Sequence, residues 1–183
     1  MKKHLYIFFL LVLNTVFSQN KNLSIQQIDS ISEVNGNYGT SDGIIEVKNK
    51  KKKVIGKGGF SISTYLNYSD DVYFNSLSIP KKKEYNREKK AELIKSTYNQ
   101  SILYNNKSFQ NVTSEFYYQN EELIFVKLTV TQQNKDQKEE NQQFSLSKIE
   151  ISESKPIKNT LLFDVQSWVR IKNLEIFEFY NKK

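Results

Sequence analysis

Residues 112–132 constrain the fold more than any other part of the chain. Four aliphatic residues occupy alternate positions of the second half: Ile124, Val126, Leu128 and Val130. Alternation with a period of two is typical of a β-strand with one buried face. Residues 112–118 alternate in the same way. The stretch therefore predicts a hairpin of two antiparallel strands.

Side-chain pairing across this hairpin predicts its register. A three-residue loop at 120–122 would pair residues of the two strands on both faces of the hairpin. On one face the pairs are Tyr118–Ile124, Phe116–Val126 and Val112–Val130. On the other they are Tyr117–Phe125, Glu115–Lys127 and Thr113–Thr129. The second face then carries an aromatic pair, an ion pair and a threonine pair, each of which stabilises a sheet. A two-residue loop would place Glu115 beside Val126. The three-residue loop is therefore expected.

The chain begins with a segment typical of a secretory signal peptide. Lys2 and Lys3 precede an apolar run over 5–13, and Val16 and Ser18 precede Gln19. The run is much shorter than the ~20 residues that span a bilayer as a helix, and no cysteine follows it for lipid attachment. We predict that residues 1–18 are removed on Sec-type export to the periplasm or the extracellular space. A retained anchor is the alternative, and 19–183 form one domain in either case.

The exported chain would lack two residue types on which much enzyme chemistry depends. The only histidine, His4, lies in the leader, and there is no cysteine. A Ser-His-Asp triad, a cysteine nucleophile, a His or Cys zinc site and a redox pair are thereby excluded. The sequence indicates no cofactor and no metal. An enzyme that uses carboxylates, Lys, Ser or Tyr remains an alternative. The sequence shows no pair of carboxylates at a spacing that would identify catalytic residues.

Lysines give the chain a formal net charge of +7, of which Lys2 and Lys3 supply two, leaving +5 after cleavage. They cluster at Lys48 with 50–53, at 81–83 and at 89–90. One interpretation is docking on an anionic surface. The other is a solvated turn and helix. No aromatic residue interleaves with 50–53, as a single-strand groove would require, so nucleic acid is not an expected partner.

The first half of the chain predicts one helix and several strands. Ser24 and Gln27 form a capping-box pattern for a helix over 24–33. Strands are predicted over 44–48 and 54–55 around a lysine turn, a bulge or turn over 56–59, and a hairpin of 60–68 with 72–79 about a turn at 69–71.

The second half adds a polar helix over 82–98, a brief strand over 102–104, a mobile polar loop over 132–143 and a strand over 144–151. The tail predicts a helix behind Thr160 and a strand over 174–180, with a pair of strands as the alternative. Trp168 lies in the apolar stripe of that helix, so a core position is favoured over a sugar-stacking platform.

These elements predict an α+β fold: an antiparallel sheet of about six to eight strands with two or three helices packed on one face. Residues 62–79 align with 112–130, and each hairpin follows a predicted helix. Duplication of a helix-plus-meander unit (22–80 and 82–152) explains this likeness. Chance agreement between two amphipathic hairpins explains it equally.

Residues 115–126, E-F-Y-Y-Q-N-E-E-L-I-F-V, resemble a hairpin of small uncharacterised exported proteins of Bacteroidetes-type bacteria. In those proteins aromatic strands precede an Asn turn and a Leu-Ile strand. The Ser18–Gln19 junction and the Lys, Asn and Ile bias agree with the resemblance, whereas Glu121 replaces the Gly that usually follows the Asn. The resemblance implies a compartment and a style of fold, and no activity.

The function predicted from the sequence is an exported, non-catalytic binding or protein-interaction module. Its nominated contact residues are the aromatics of the outer strand face, Tyr65, Tyr117 and Phe125. The alternative for these residues is that a helix covers them. The alternative function is a basic module that docks on the cell envelope or on polysaccharide. The expected partner is thus an unidentified protein or an envelope component.

Overall fold

The computed structural model describes residues 22–68, 91–134, 138–153, 157 and 164–182. Within these ranges the chain forms six strands: β1 (Gly39–Lys48), β2 (Val54–Tyr68), β3 (Ala91–Tyr104), β4 (Phe109–Gln119), β5 (Glu122–Gln133) and β6 (Glu140–Ser147). Three helices accompany them: α1 (Ile25–Asn35), α2 (Lys148–Ser152) and α3 (Val165–Asn181). Among these helices, none is both long and apolar enough to cross a membrane.

The six strands form one antiparallel meander in the order β1-β2-β3-β4-β5-β6. Each strand pairs with its neighbours in the chain, so residues that pair across several strands form rows on one face of the sheet. The predicted fold class, α+β with an antiparallel sheet, is confirmed.

The hairpin of β4 and β5 confirms most of the predicted register and corrects the turn. The pairs found as predicted are Phe116–Val126, Val112–Val130, Tyr117–Phe125, Glu115–Lys127 and Thr113–Thr129.

Tyr118, however, pairs with Leu123 instead of Ile124, because β5 carries one extra residue there. The turn consists of Asn120 and Glu121 alone, whose φ angles of 49° and 62° are those of a type I′ turn. The predicted three-residue loop is therefore wrong. A two-residue turn followed by a one-residue bulge in β5 gives the same pairing, from Tyr117–Phe125 onward, as the predicted three-residue loop.

Helix α1 begins where the capping box predicts. The backbone N–H of Ser24 donates to Gln27 Oε1 at 2.8 Å, and the N–H of Gln27 donates to Ser24 Oγ at 3.3 Å. The helix runs two residues past the predicted end at 33 and stops at Gly36, whose φ is 69°.

The predicted helix over 82–98 is wrong from Ala91 onward, where the chain forms β3. Every second residue from Ser96 to Ile102 is buried, as in a strand. The adjacent Leu93 and Ile94 hide this period in the sequence. They lie in hydrophobic clusters on opposite faces of the sheet, and a bulge opposite β2 puts Ile94 on the same face as Lys95. The brief strand predicted over 102–104 is the end of β3.

Gly58 of β2 and Gly43 of β1 allow close contact with neighbouring strands, and the glycines of β2 do not turn the chain. Residues 56–59, predicted as a bulge or turn, lie inside the continuous strand β2. A Cβ on Gly58 would lie 2.8 Å from the carbonyl carbon of Ser101 in β3. A Cβ on Gly43 would meet the ring of Phe60, 2.5 Å from its Cζ. The predicted lysine turn between β1 and β2 is confirmed.

The C-terminal elements differ from those predicted. Strand β6 ends at Ser147, and α2 replaces the rest of the strand predicted over 144–151. Since β5 continues to Gln133 and β6 begins at Glu140, the polar loop is shorter than 132–143. The tail is one helix, capped by Asp164, so the strand over 174–180 is wrong, as is the pair of strands. The buried residues Val165, Val169 and Ile176 have helical spacing.

The helices lie on both faces of the sheet, where one face was expected. Residues of α2 and α3 share a hydrophobic core with Phe116, and we call this side the α3 face. Ile28 of α1 shares a smaller core with Tyr117, on the α1 face. Trp168 is half-buried against the main core, with its ring centroid 5.6 Å from that of Tyr98. Its placement agrees with the core interpretation.

Several predicted features lie outside the described residues. They are the leader at 1–18, the turn and strand at 69–79 with the hairpin repeat that depends on them, the lysines at 81–83 and 89–90, and the cap at Thr160.

Candidate functional site

The three nominated aromatic residues share one row on the α1 face. Cross-strand pairs join Tyr65 to Lys95, Lys95 to Tyr117, and Tyr117 to Phe125. Ile28 of α1 packs on this row. Tyr117 is fully buried, and Tyr65 and Phe125 are half-buried. The expected exposure of Tyr117 is thus wrong, because α1 covers it. Ligand binding by the three residues stays a prediction, which this burial does not support.

Two carboxylates, two lysines and a tyrosine connect α1 to the sheet, and we call them the charged network: Asp29, Lys95, Glu115, Tyr117 and Lys127. Lys95 Nζ lies 2.7 Å from Asp29 Oδ1 and 2.7 Å from Glu115 Oε1. The Tyr117 hydroxyl lies 3.0 Å from Asp29 Oδ1 and 2.9 Å from Glu115 Oε2. Lys127 Nζ donates to that hydroxyl at 3.0 Å and lies 3.7 Å from each carboxylate.

The charged network favours the ionised forms of Asp29, Glu115 and Lys95. Burial alone would raise the pKa of Asp29 and Glu115, but hydrogen bonds from Lys95 and Tyr117 hold both below their ordinary values. Burial alone would lower the pKa of Lys95, but hydrogen bonds to the two carboxylates raise it. Burial and the same carboxylates raise the pKa of the Tyr117 hydroxyl, which stays protonated. The charges cancel, so the network acts as a clamp that holds α1.

We expect acid to release this clamp. The carboxylates of Asp29 and Glu115 have lower pKa values in the folded chain than in the unfolded chain, where both are about 4. Their contribution to stability is therefore fully present above about pH 4. It is lost as the pH falls through the pKa values of the folded chain. Lys95, whose pKa is raised, contributes fully below its unfolded value of about 10.4 and loses its contribution only in stronger alkali. Urea denaturation at a series of pH values from neutral to acid measures the loss.

The matched control for this pH dependence is Asp29→Asn, which keeps the shape of the side chain and removes its titration. The variant should be less stable at neutral pH and should lose less stability between neutral and acid pH than the native chain. Identical pH profiles for the two proteins would contradict the assignment of the clamp.

A second ion cluster lies on the α3 face. The Tyr98 hydroxyl donates to Glu175 Oε2 at 3.0 Å, and Lys172 Nζ lies 2.9 Å from Glu175 Oε1. Burial and the neighbouring carboxylate raise the pKa of Tyr98, so its hydroxyl stays protonated. The cluster borders a groove of about 560 Å³ between α3 and the first two strands. Its groups satisfy one another and fix α3 on the sheet.

Beyond α1, the middle of the α1 face is polar and, on β2 to β6, uncharged. Two successive rows cross β2 to β6 there. Their side chains all end in a hydroxyl or an amide, and we call them the polar face: Ser61, Asn99, Ser101, Asn111, Thr113, Thr129, Thr131, Asn141 and Gln143. All are exposed or half-buried. Charged residues make up 26% of the chain, yet none occurs in these two rows on β2 to β6.

Two open depressions lie along the polar face, and Thr113 lines both of them. One, of about 720 Å³, extends from Asp42 in β1 to Thr113 in β4. The other, of about 260 Å³, extends from Thr113 to Gln143 in β6. Together they form a trough that crosses all six strands. With strands about 4.8 Å apart, its length is roughly 24 Å.

One position in the two polar rows on β2 to β6 has no side chain. Gly59 pairs with Ser101 and lines the larger depression. A Cβ there would meet only the Gly43 carbonyl oxygen, at 3.4 Å, and would otherwise point into open space. Gly59 therefore widens the trough, whereas Gly58 serves the contact between strands.

The sequence carried a signal for this surface that the prediction missed. Asn99 with Ser101, Asn111 with Thr113, Thr129 with Thr131, and Asn141 with Gln143 each occupy alternate positions of one strand. Two of these strands are not predicted over these residues, because the sequence pattern favours a helix over 82–98 and a polar loop over 132–143.

The lysine cluster at the turn between β1 and β2 is solvent-exposed. Asn49 Oδ1 accepts hydrogen bonds from the N–H groups of Lys51 and Lys53, at 3.0 and 3.1 Å. Glu46 lies 3.4 Å from Lys48 Nζ and 3.6 Å from Lys57 Nζ. This geometry is that of a solvated turn.

Within the described ranges, no group of three or more His, Cys, Asp or Glu residues is arranged to hold a metal ion. No family model matches the chain, and no curated protein or solved structure shows significant similarity to it.

Proposed function

We propose that the protein is an exported, non-catalytic binding module whose ligand lies on the polar face. The observation that carries the proposal is the exposed, uncharged array of hydroxyl and amide groups on five neighbouring strands. These groups both donate and accept hydrogen bonds, so they match a polar, uncharged ligand. The leader predicted at 1–18 supports export.

The chemistry around the trough favours binding over catalysis. An active site brings titratable groups together with a reacting atom in a concave site. Here Glu115 and Lys127 border the smaller depression, but both belong to the charged network that holds α1. The members of the two polar rows that line the larger depression are Asn, Ser and Thr residues together with Gly59, and their hydroxyl and amide groups suit hydrogen bonding to a ligand.

Docking of the basic turn on an anionic envelope surface is the second candidate. It rests on the exposed lysines at 50–53. Screening separates the two functions, because attraction between exposed charges weakens as salt rises, whereas hydrogen bonding in the trough does not depend on net charge.

The test compares Thr113→Arg with Thr40→Arg. Thr113 lines both depressions, while Thr40 is an exposed threonine of β1 that lines neither. Both variants add the same charge, and only the first obstructs the trough. The measurement is retention of the purified protein on immobilised macromolecules from bacterial envelopes and from culture medium, at low and high salt.

We expect native protein and Thr40→Arg to be retained equally at both salt concentrations, and Thr113→Arg to lose at least about 90% of that retention, a tenfold change or about 1.4 kcal/mol. Absence of retention, or equal retention of the two variants, would overturn the polar face as the binding surface. Retention that disappears at high salt would favour the basic turn.

A further inference from the structure

We propose that the ligand of the trough is an uncharged polysaccharide chain that lies across the strands. The inference rests on the proposed function and names the chemical class of its ligand.

The charge of the trough disfavours an ionic ligand. Nucleic acids, acidic glycans and anionic lipid surfaces are bound by lysine and arginine side chains close to their charges. The two rows of the polar face carry no such side chain on β2 to β6, and Asp42 at the β1 end would repel an anion. Lys127 borders the smaller depression, but it lies beside the carboxylates of Asp29 and Glu115. A neutral ligand is the one whose charge complements this surface.

The lack of apolar anchors disfavours a protein partner. Protein interfaces obtain most of their affinity from a few aromatic or aliphatic side chains in a desolvated centre. The strongly exposed apolar side chains on this part of the α1 face are those of Ile44 and Leu103. Ile44 pairs with Gly59 at the β1 end of one row, and Leu103 lies one row further, near the end of β3, so neither is at the centre of the trough. Around Thr113, the side chains of the two polar rows end in hydroxyl and amide groups.

The shape of the trough suits an extended polymer. It is open along its length of roughly 24 Å, so a chain can enter from the side and continue past both ends. Sugar hydroxyls donate and accept hydrogen bonds, as do the Asn and Thr side chains that line the trough. Gly59 leaves space for a ring to approach the backbone of β2.

The experiment titrates the isotope-labelled protein with short uncharged oligosaccharides (α- and β-glucan, xylan and mannan) and follows its backbone amide signals by NMR. An acidic oligogalacturonate and a Ser- and Gly-rich peptide serve as comparison ligands. Thr113→Val removes one hydroxyl without changing the shape of the side chain. Thr40→Val makes the same change outside the trough and is the matched control.

We expect at least one neutral oligosaccharide to shift the signals of Asn99, Thr113 and Thr129, with the same Kd at low and high salt. Thr113→Val should weaken binding about two- to tenfold, as loss of one hydrogen bond implies, and Thr40→Val should not. The assignment of a polysaccharide ligand would be overturned by any of three results. These are shifts confined to other residues, no binding by any neutral oligosaccharide, and a preference for the acidic ligand or the peptide.

The proposed function and the proposed ligand class can fail independently of each other. If Thr113→Arg abolishes retention but no neutral oligosaccharide binds, the polar face stands and the ligand class falls. If Thr113→Arg is retained like the native protein, both fall.

Discussion

Replacing Gly58 with alanine is expected to destabilise the protein by about 3 kcal/mol, while the same change at Gly59 is expected to be neutral or slightly stabilising. A Cβ on Gly58 would overlap the carbonyl oxygen of Ser101 and would lie 2.9 Å from the Cα of Ile102. Both are backbone atoms of β3, so relief requires β2 and β3 to separate where they are paired. At Gly59 the Cβ meets only the Gly43 oxygen, at 3.4 Å.

The measurement is the free energy of unfolding from urea denaturation of the native chain, Gly58→Ala and Gly59→Ala. The two variants are matched, since both add one methyl group to the same strand and restrict the unfolded chain equally. Equal stabilities for the two variants would contradict the register between β2 and β3. A destabilised Gly59→Ala beside an unchanged Gly58→Ala would mean that the two faces of β2 are exchanged.

How far the sequence predicts this fold depends on how local the deciding interaction is. The capping box of Ser24 and Gln27 acts within four residues, and α1 begins as predicted. The pairs of the β4–β5 hairpin lie close in sequence, and their register is largely correct. Strand β3 depends on two neighbours and on a bulge at Leu93 and Ile94, which disturbs the period of two. Whether the tail forms a helix or strands depends on the packing of Val169 and Ile176 against the sheet. Its sequence pattern alone does not decide between the two.

The candidate site illustrates the same limit. The sequence placed Tyr117 and Phe125 correctly on one face, together with Glu115 and Lys127. It did not show that α1 would fold over that face, because the contact of Asp29 with Lys95 joins residues 66 positions apart. The polar face depends on five strands placed side by side, and no single strand identifies it. A surface built from rows across a sheet becomes visible only when the strand order is known.

Replacing Tyr117 with alanine is expected to destabilise the protein by about 4 kcal/mol. The ring is fully buried between α1 and the sheet, with the centroid of Phe125 6.1 Å away. Lys95 Nζ and Lys127 Nζ lie 5.1 and 5.0 Å from its centroid. Truncation leaves a cavity beneath Ile28 and removes the hydroxyl that bridges the carboxylates of the charged network. Urea denaturation measures the loss, and a protease acting on α1 should cleave the variant faster.

Tyr117→Phe is the matched control, because it keeps the ring and removes only the hydroxyl. It is expected to cost about 1 kcal/mol, the usual net contribution of a hydrogen bond. A large loss for alanine with a small loss for phenylalanine identifies Tyr117 as a packing residue beneath α1. If alanine were instead tolerated within about 1 kcal/mol, α1 would not cover this ring in solution. The aromatic row of Tyr65, Tyr117 and Phe125 would then be accessible, and it would become the stronger candidate for the binding surface.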